Sequence, residues 1–337
     1  MKKLCSSSYD DIIAIENLLG AWQEFVCGKR AKRDVQDFSR NLIDEVSALH
    51  DDLARGAYRH GGYEHFVVHD PKRRDIHKAS VRDRLVHHAV YRVLYLFFDS
   101  TFIADSFSCR FGKGTHRAMD RFRSFAYQAS HNHTRTAWVL QCDIRKFFAS
   151  VDHAILLSIL SEYIPDRRIM GLLVNIIASF SGVRPGVGLP LGNLTSQLFV
   201  NIYMNVFDQW VKHRLHARGY VRYADDFVIF SYDRTALVKA IPLIGQFLQE
   251  HLHLSLHPTK VHIRTVASGV DFLGWVHFPD HRVLRMATQR RMMRRIVAHP
   301  TDATFQSYYG LLGHGNAQGL TATVRNMHWL LQDQLIS

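Results

Sequence analysis

The sequence predicts an α+β protein, a mixed sheet domain with a helical appendage, and three observations predict it. Apolar residues recur at helical spacing through several long stretches. Short runs rich in β-branched and aromatic residues come in pairs joined by tight turns, the mark of antiparallel hairpins rather than parallel crossovers. The tail after residue 286 reads as helix alone.

Taken in order, Ile12, Ile15, Leu18, Leu19 and Trp22, then Leu42, Val46, Leu49 and Leu53, place helices over residues 10–55. Gly56 and the pair Gly61-Gly62 end that region. Phe66-Val67-Val68 reads as a strand leading into the basic turn Pro71-Lys72-Arg73-Arg74, and a long helix follows from Val81 to Phe98. Residues 138–148 read as a buried strand, apolar apart from Gln141, Asp143, Arg145 and Lys146. Helices are expected at 152–163 and 167–180, then a Gly/Pro loop over 182–192 and a long helix over 195–217. Two strands, 220–223 and 227–230, flank Ala224-Asp225-Asp226. A helix at 235–252, a strand at 261–266, a hairpin at 270–284 and three tail helices complete the chain. The first tail helix is strongly basic, with Arg285, Arg290, Arg291, Arg294 and Arg295.

The chain has 337 residues, enough for two or three subdomains. Its 42 Lys and Arg outnumber 30 Asp and Glu, and the net charge of +12 favours a polyanionic partner, nucleic acid before membrane. No run reaches membrane-span length and the start has no apolar signal core. Cys5, Cys27, Cys109 and Cys142 form no CxxC pair and fit free thiols in a reducing cytoplasm. The 22 histidines include His87-His88, His131-x-His133 and His251-x-His253, but no Cys or acid falls at structural zinc spacing beside them. They read as surface histidines.

The acids carry the chemistry. Asp225 and Asp226 stand side by side at a hairpin tip, where they repel each other unless a cation neutralises them; a solvated turn is the plain alternative. Asp143 lies within the apolar strand Trp138-Val139-Leu140-Gln141-Cys142-Asp143-Ile144 and is costly to bury unpaired, so it is either salt-bridged or a metal ligand. If the strand lies beside the hairpin, the three carboxylates form a hard-oxygen site suited to Mg²⁺. Two such ions activate a 3′-hydroxyl and stabilise a leaving pyrophosphate, which is nucleotidyl transfer. Lys72, Arg73 and Arg74, Arg145 and Lys146, and Lys260 after the turn His257-Pro258-Thr259 are each ordinary surface charges taken singly. Together with the acids they suggest a phosphate clamp and a general acid. Phe147 and Phe148 are either core aromatics or a wall against the nucleotide sugar.

The order of these motifs resembles a reverse transcriptase of the bacterial, group II intron-related kind, over residues 60–280 and more weakly in the tail. Arg82-Asp83-Arg84-Leu85-Val86-His87 resembles the basic helix start of that family's fingers. Asp143-Ile144-Arg145-Lys146-Phe147-Phe148 resembles its first catalytic motif and Arg222-Tyr223-Ala224-Asp225-Asp226 its second. His257-Pro258-Thr259-Lys260 resembles the lysine motif and Phe272-Leu273-Gly274-Trp275 the primer grip.

The resemblance implies a right-hand polymerase fold with an antiparallel palm sheet: an N-terminal helical extension over 1–60, fingers and palm over 61–280, and a helical thumb over 281–337. It implies that Asp143, Asp225 and Asp226, with the Ile144 backbone, hold two Mg²⁺ ions, for which Mn²⁺ can substitute. It implies Lys72 and Arg74 as triphosphate contacts and Phe148 as the sugar-discriminating residue. Arg82, Arg84, the primer grip and the basic tail helix are the expected contacts to template RNA and cDNA primer. Where most reverse transcriptases carry a glutamine-glycine motif ending in serine-proline, this chain has Leu191-Gly192-Asn193-Leu194-Thr195-Ser196-Gln197. Leu191 and Gln197, like Arg110-Phe111-Gly112-Lys113-Gly114-Thr115-His116, resemble the enzymes of diversity-generating retroelements. That likeness implies error-prone copying of a template-repeat RNA at adenines, dNTP substrates and a basic oligomeric accessory protein. Another bacterial reverse transcriptase (retron, abortive-infection, group II intron-like or stand-alone), and a catalytically silent RNA-binding scaffold, are the alternatives.

Overall fold

The structure, a computed structural model, describes residues 3–69 and 72–336, with side chains to residue 331. Pro71 of the basic turn lies outside the described residues. Four helices open the chain: α1 (Tyr9–Ile13), α2 (Ile15–Phe25), α3 (Arg33–Arg40) and α4 (Leu42–Ala54). Ser8 and Asp11 form a reciprocal capping box that starts α1. A two-stranded hairpin follows, β1 (Tyr63–Val68) with β2 (Arg74–Ala79). Next comes α5 (Val81–Asp99), whose first turn is closed by the Ser80 hydroxyl accepting from the Asp83 amide.

The middle of the chain runs α6 (Thr115–Ala129), β3 (Trp138–Asp143), α7 (Phe147–Ser150), α8 (His153–Ser161), α9 (Arg167–Ala178) and α10 (Leu194–His213). Then come β4 (Gly219–Tyr223), β5 (Asp226–Ser231), α11 (Arg234–Leu252) and β6 (His262–Thr265). These four strands form one antiparallel sheet in the order β4-β5-β3-β6. Both faces of β3, β4 and β5 are covered, which is why these strands are mostly apolar, whereas the edge strand β6 alternates exposed and half-buried residues. Leu140, Cys142, Tyr220, Phe227 and Ile229 join a core shared with α5, α8, α10 and α11. The alternate residues Val139, Val221, Val228 and Phe230 pack with Phe122 and Phe125 of α6. Each fully buried phenylalanine there contributes about 1.5–3 kcal/mol. The first core also takes in Ile12, Leu18, Trp22 and Leu49, so the N-terminal helices share one interior with the sheet.

A three-stranded meander, β7 (Val270–Phe272), β8 (Trp275–His277) and β9 (Arg282–Leu284), leads into α12 (Met286–Ala298), α13 (Asp302–Leu312) and α14 (Gln318–Ile336). Trp275, Leu284, Met292, Ile296, Phe305 and Leu312 form a separate small core with Met119 of α6.

Several expectations need correction. The strand expected over 138–148 stops at Asp143, because Lys146 adopts φ 48° and α7 starts at Phe147. The helix expected over 195–217 ends at His213, where the Arg214 and Leu215 amides both turn back to the Trp210 carbonyl. His87, His153 and His277 are buried, not surface, histidines; burial pushes His87 down to about 3 and His277 to about 4, so both are neutral near pH 7. Neither β2 nor α6 was expected. Among the described residues no helix is long and apolar enough to cross a membrane.

Candidate active site

The β3–β5 register sets Asp143 directly opposite Asp226, and the β4–β5 register pairs Tyr223 with Asp226, leaving Ala224-Asp225 as a two-residue turn. Ala224 has φ 55°, the left-handed conformation that such tight hairpins require. The Ile144 amide donates to the Asp225 carbonyl at 3.3 Å, closing β3 onto the turn. The segment after α11 runs alongside: the His257 amide donates to the Asp143 carbonyl at 2.8 Å and the Arg145 amide to the Ser255 carbonyl at 2.9 Å. That brings Lys260 to the acids, with Nζ 2.8 Å from Asp143 Oδ2.

Three carboxylates thus share one half-buried corner with one ammonium. Burial, then Asp225 and Asp143, push Asp226 up to about 7. Burial and Asp143 also raise Asp225, against the opposing pull of Lys260 and Arg74. Among the described residues no three His, Cys, Asp or Glu side chains are drawn together as a formed metal cage. The donor set nevertheless fits a hard divalent cation: its three carboxylates carry more negative charge than Lys260 offsets.

Asp226 holds its proton in the folded state over about pH 4–7, where the unfolded chain has released it. The folded state therefore binds more protons, and stability falls as pH rises through that window. Asp226→Asn is expected to remove this slope and to raise the metal-free melting temperature at pH 8. Thermal melts of both proteins from pH 5 to 8 check it; parallel profiles would show that Asp226 is not under this strain.

The other expected site residues divide sharply. Arg74 starts β2, exposed and close enough to depress Asp225, and Lys72 is exposed beside it. Arg145 and Lys146 are exposed between Asp143 and α7. Phe148 is half-buried, but Phe147 is sealed in the core, edge-on to Phe148, and has no face left for a nucleotide. Leu191 and Gly192 are tied to the β1–β2 hairpin: the His77 amide donates to the Leu191 carbonyl at 3.1 Å, and Asn193 Nδ2 donates to the His77 carbonyl at 3.0 Å. Gly192 has φ 107°, a backbone angle strained for any residue with a Cβ, and an added Cβ would lie 3.0 Å from the Ile76 side chain. Gln197 lies half-buried in the first turn of α10.

The structure turns several expected template contacts inward. Arg82 pairs with Asp52 at 2.6 Å and Arg84 with Asp34 at 2.7 Å, bracing α5 against the N-terminal helices. Phe272 and Trp275 are buried core anchors, leaving Leu273 (φ 54°) and Gly274 (φ 86°) as the half-buried turn. On α12, Arg290, Arg294 and Arg295 are exposed and Arg291 is half-buried. Sequence reasoning missed Asp208, the lone acid in the apolar stretch of α10, fully buried against Arg222. An unpaired-looking acid amid Val206, Phe207 and Val211 was the available signal.

The family described as Reverse transcriptase (RNA-dependent DNA polymerase) matches residues 64–277. Protein YkfC of Escherichia coli (strain K12) is 27% identical over 303 residues, 77% of this chain and 77% of that protein. Nuclear intron maturase 4, mitochondrial, of Arabidopsis thaliana is 25% identical over 186 residues, 53% of this chain and 22% of that one. Telomerase from Candida albicans, solved with a fragment of telomeric RNA, superposes with a TM-score of 0.52 at 10% identity over 68% of this chain and 47% of that one. Apo telomerase from Candida tropicalis gives 0.51 at 12% identity over 66% and 55%. The chain spans about half the length of these telomerase chains, and the likeness is one of fold.

Proposed function

The chain belongs to the reverse transcriptase (RNA-dependent DNA polymerase) family, and we propose that it copies a template-repeat RNA into cDNA with frequent errors at template adenines, for diversification of a target gene. Its fold is the right-hand polymerase fold, and its family works with divalent metal ions. The observation that carries the polymerase reading is the meeting of Asp143 and Asp226 in register, with Asp225 next to Asp226 in the turn and Lys260 on Asp143.

In this reading Asp143, Asp225, Asp226 and the Ile144 carbonyl would hold two Mg²⁺ ions, or Mn²⁺ in their place, and the ions would supply positive charge for activating a 3′-hydroxyl and stabilising a leaving pyrophosphate. Every other part belongs to side chains already placed. Lys72, Arg74, Arg145 and Lys146 offer the triphosphate exposed cations, and Arg74 is near enough to pull Asp225 down. Lys260 donates a proton to the leaving pyrophosphate. Phe148 presses on the sugar where a 2′-hydroxyl would sit. Arg290, Arg294 and Arg295 track the phosphates of RNA template and cDNA primer, so binding weakens with salt. A basic oligomeric accessory protein is the proposed partner, and the reducing cytoplasm the proposed setting.

Leu191 is the link to error. It stands where a glutamine side chain would hydrogen-bond around the nascent pair, and it offers none, so a mismatch loses less relative to a match. Leu191→Gln is expected to cut misinsertion opposite adenine by about 10-fold, one strong hydrogen bond's worth of discrimination, with less change opposite C, G and U. Sequencing of cDNA from both proteins decides it; an unchanged adenine spectrum removes Leu191 from the account. The likeness to an intron maturase favours a second reading, an intron-related reverse transcriptase. Accurate copying of adenine by the wild-type protein would select that one.

A further inference from the structure

We infer that Arg222, clamped by Asp208, is the positioning residue that holds the Tyr223–Asp226 turn in its working shape. The inference rests on the reading of Asp225 and Asp226 as catalytic acids. Arg222 lies in β4 with its guanidinium fully buried. Nε and Nη2 donate to the two oxygens of Asp208 at 2.7 and 2.6 Å, a bidentate charged pair. Nη2 also donates to Ser106 Oγ at 3.0 Å, and Nη1 to Asn201 Oδ1 at 3.4 Å and to the Ala224 carbonyl at 3.1 Å. All five donors of the guanidinium are thereby used. Asp208 accepts a third bond, 2.7 Å from the Tyr220 hydroxyl. The Arg222 backbone is fixed too: its amide donates to the Asp105 carbonyl, and its carbonyl accepts from Phe107, each at 3.0 Å.

A buried ion pair is a poor device for stability alone, since well-packed apolar residues do as well. This one reaches the carbonyl of Ala224, the residue that carries a left-handed backbone angle without being glycine. Asp225 follows directly. The guanidinium therefore couples the long helix α10, through Asp208 and Asn201, to the backbone that aims the Asp225 and Asp226 carboxylates. A displacement of about 1 Å in such groups costs up to about 100-fold in rate.

The test uses the triple variant Asp208→Leu/Tyr220→Phe/Arg222→Met, which removes the clamp while leaving neither the charge nor the phenol unpaired. Thermal melting, steady-state primer extension on RNA and hydrogen exchange of residues 219–231 are read together, with Asp225→Asn as the inactive reference. The expected result is a melting temperature near or above wild type, kcat lower by about 10–100-fold, and KM for dNTP within about twofold, since no group that touches nucleotide has changed. Amides of Tyr223 to Phe227 should exchange faster. Wild-type kcat and unchanged exchange in a folded triple variant would overturn the inference. If the triple variant does not fold, Asp208→Asn replaces it, and the same split of kcat from KM is required. Should Asp225→Asn itself stay active, the catalytic reading fails separately, and the exchange of the turn alone then decides the clamp.

Discussion

Asp225→Asn is expected to lower primer extension on an RNA template by about 10³-fold or more, while leaving the protein folded and, without divalent metal, more stable than wild type. The two effects share one cause. Asp225 sits in the turn between Tyr223 and Asp226, where burial and Asp143 hold its carboxyl above the usual carboxylate range. An asparagine of the same shape removes the repulsion and, with it, the charge that would hold a cation. Single-turnover extension and thermal melting at pH 8 check both halves. Activity within tenfold of wild type would remove Asp225 from the site.

Gly315→Ala is the second large expected effect, and on the proposed function it should act on template–primer binding instead of chemistry. Gly315 lies between α13 and α14, pressed on the indole of Trp275, and an added Cβ would overlap that ring. The indole has little room to move, because it is buried in the small core with Leu284, Met292, Ile296, Phe305 and Leu312. The loop cannot retreat easily either. The Arg282 side chain donates to the His314 carbonyl, the Asn316 amide donates to the Arg282 carbonyl at 2.8 Å, and the His314 ring stacks on His116 at 3.5 Å. Overpacking of this kind costs about 1–3 kcal/mol, enough to loosen the thumb helices from the sheet domain. Primer–template affinity is expected to fall by about 10-fold, with the rate from a saturated complex nearly unchanged. Gly319→Ala, in α14 with nothing near its added Cβ, is the control, and by helix propensity it should be neutral or mildly stabilising. Equal affinity of the two variants would show that Trp275 does not organise the thumb.

The parts of the fold that the sequence made legible are those where one local pattern decides the outcome. The hairpin around Asp225 announces itself by apolar runs on both sides of a polar turn. The helices α5 and α10 are long and periodic enough to outweigh their boundaries. By contrast β2 reads Arg-Asp-Ile-His-Lys-Ala and has no alternation to find; it is a strand because β1 and the Leu191–Asn193 segment pair with it. Helix α6 hides differently. Ala118, Met119, Phe122, Phe125 and Ala126 keep helical spacing, but arginines crowd the gaps between them. Within the site, the acids and Lys260 were legible because a carboxylate in an apolar strand demands a partner. The fates of Phe147, Phe272 and Trp275 were not, because an aromatic beside a motif looks the same whether it faces a ligand or a core. Arg82 and Arg84 went astray for a related reason: their partners, Asp52 and Asp34, lie some 30 and 50 positions earlier in the chain.

The most direct test of the central claim is single-nucleotide primer extension on RNA templates presenting A, C, G or U, with Mg²⁺ and each dNTP in turn, against Asp225→Asn as background. The expected result is metal-dependent incorporation at all four positions, lost in the Asp225→Asn protein, with misinsertion concentrated opposite A. Incorporation no higher than that background, with template-repeat RNA and accessory protein supplied, would contradict the claim that Asp143, Asp225 and Asp226 form a polymerase site.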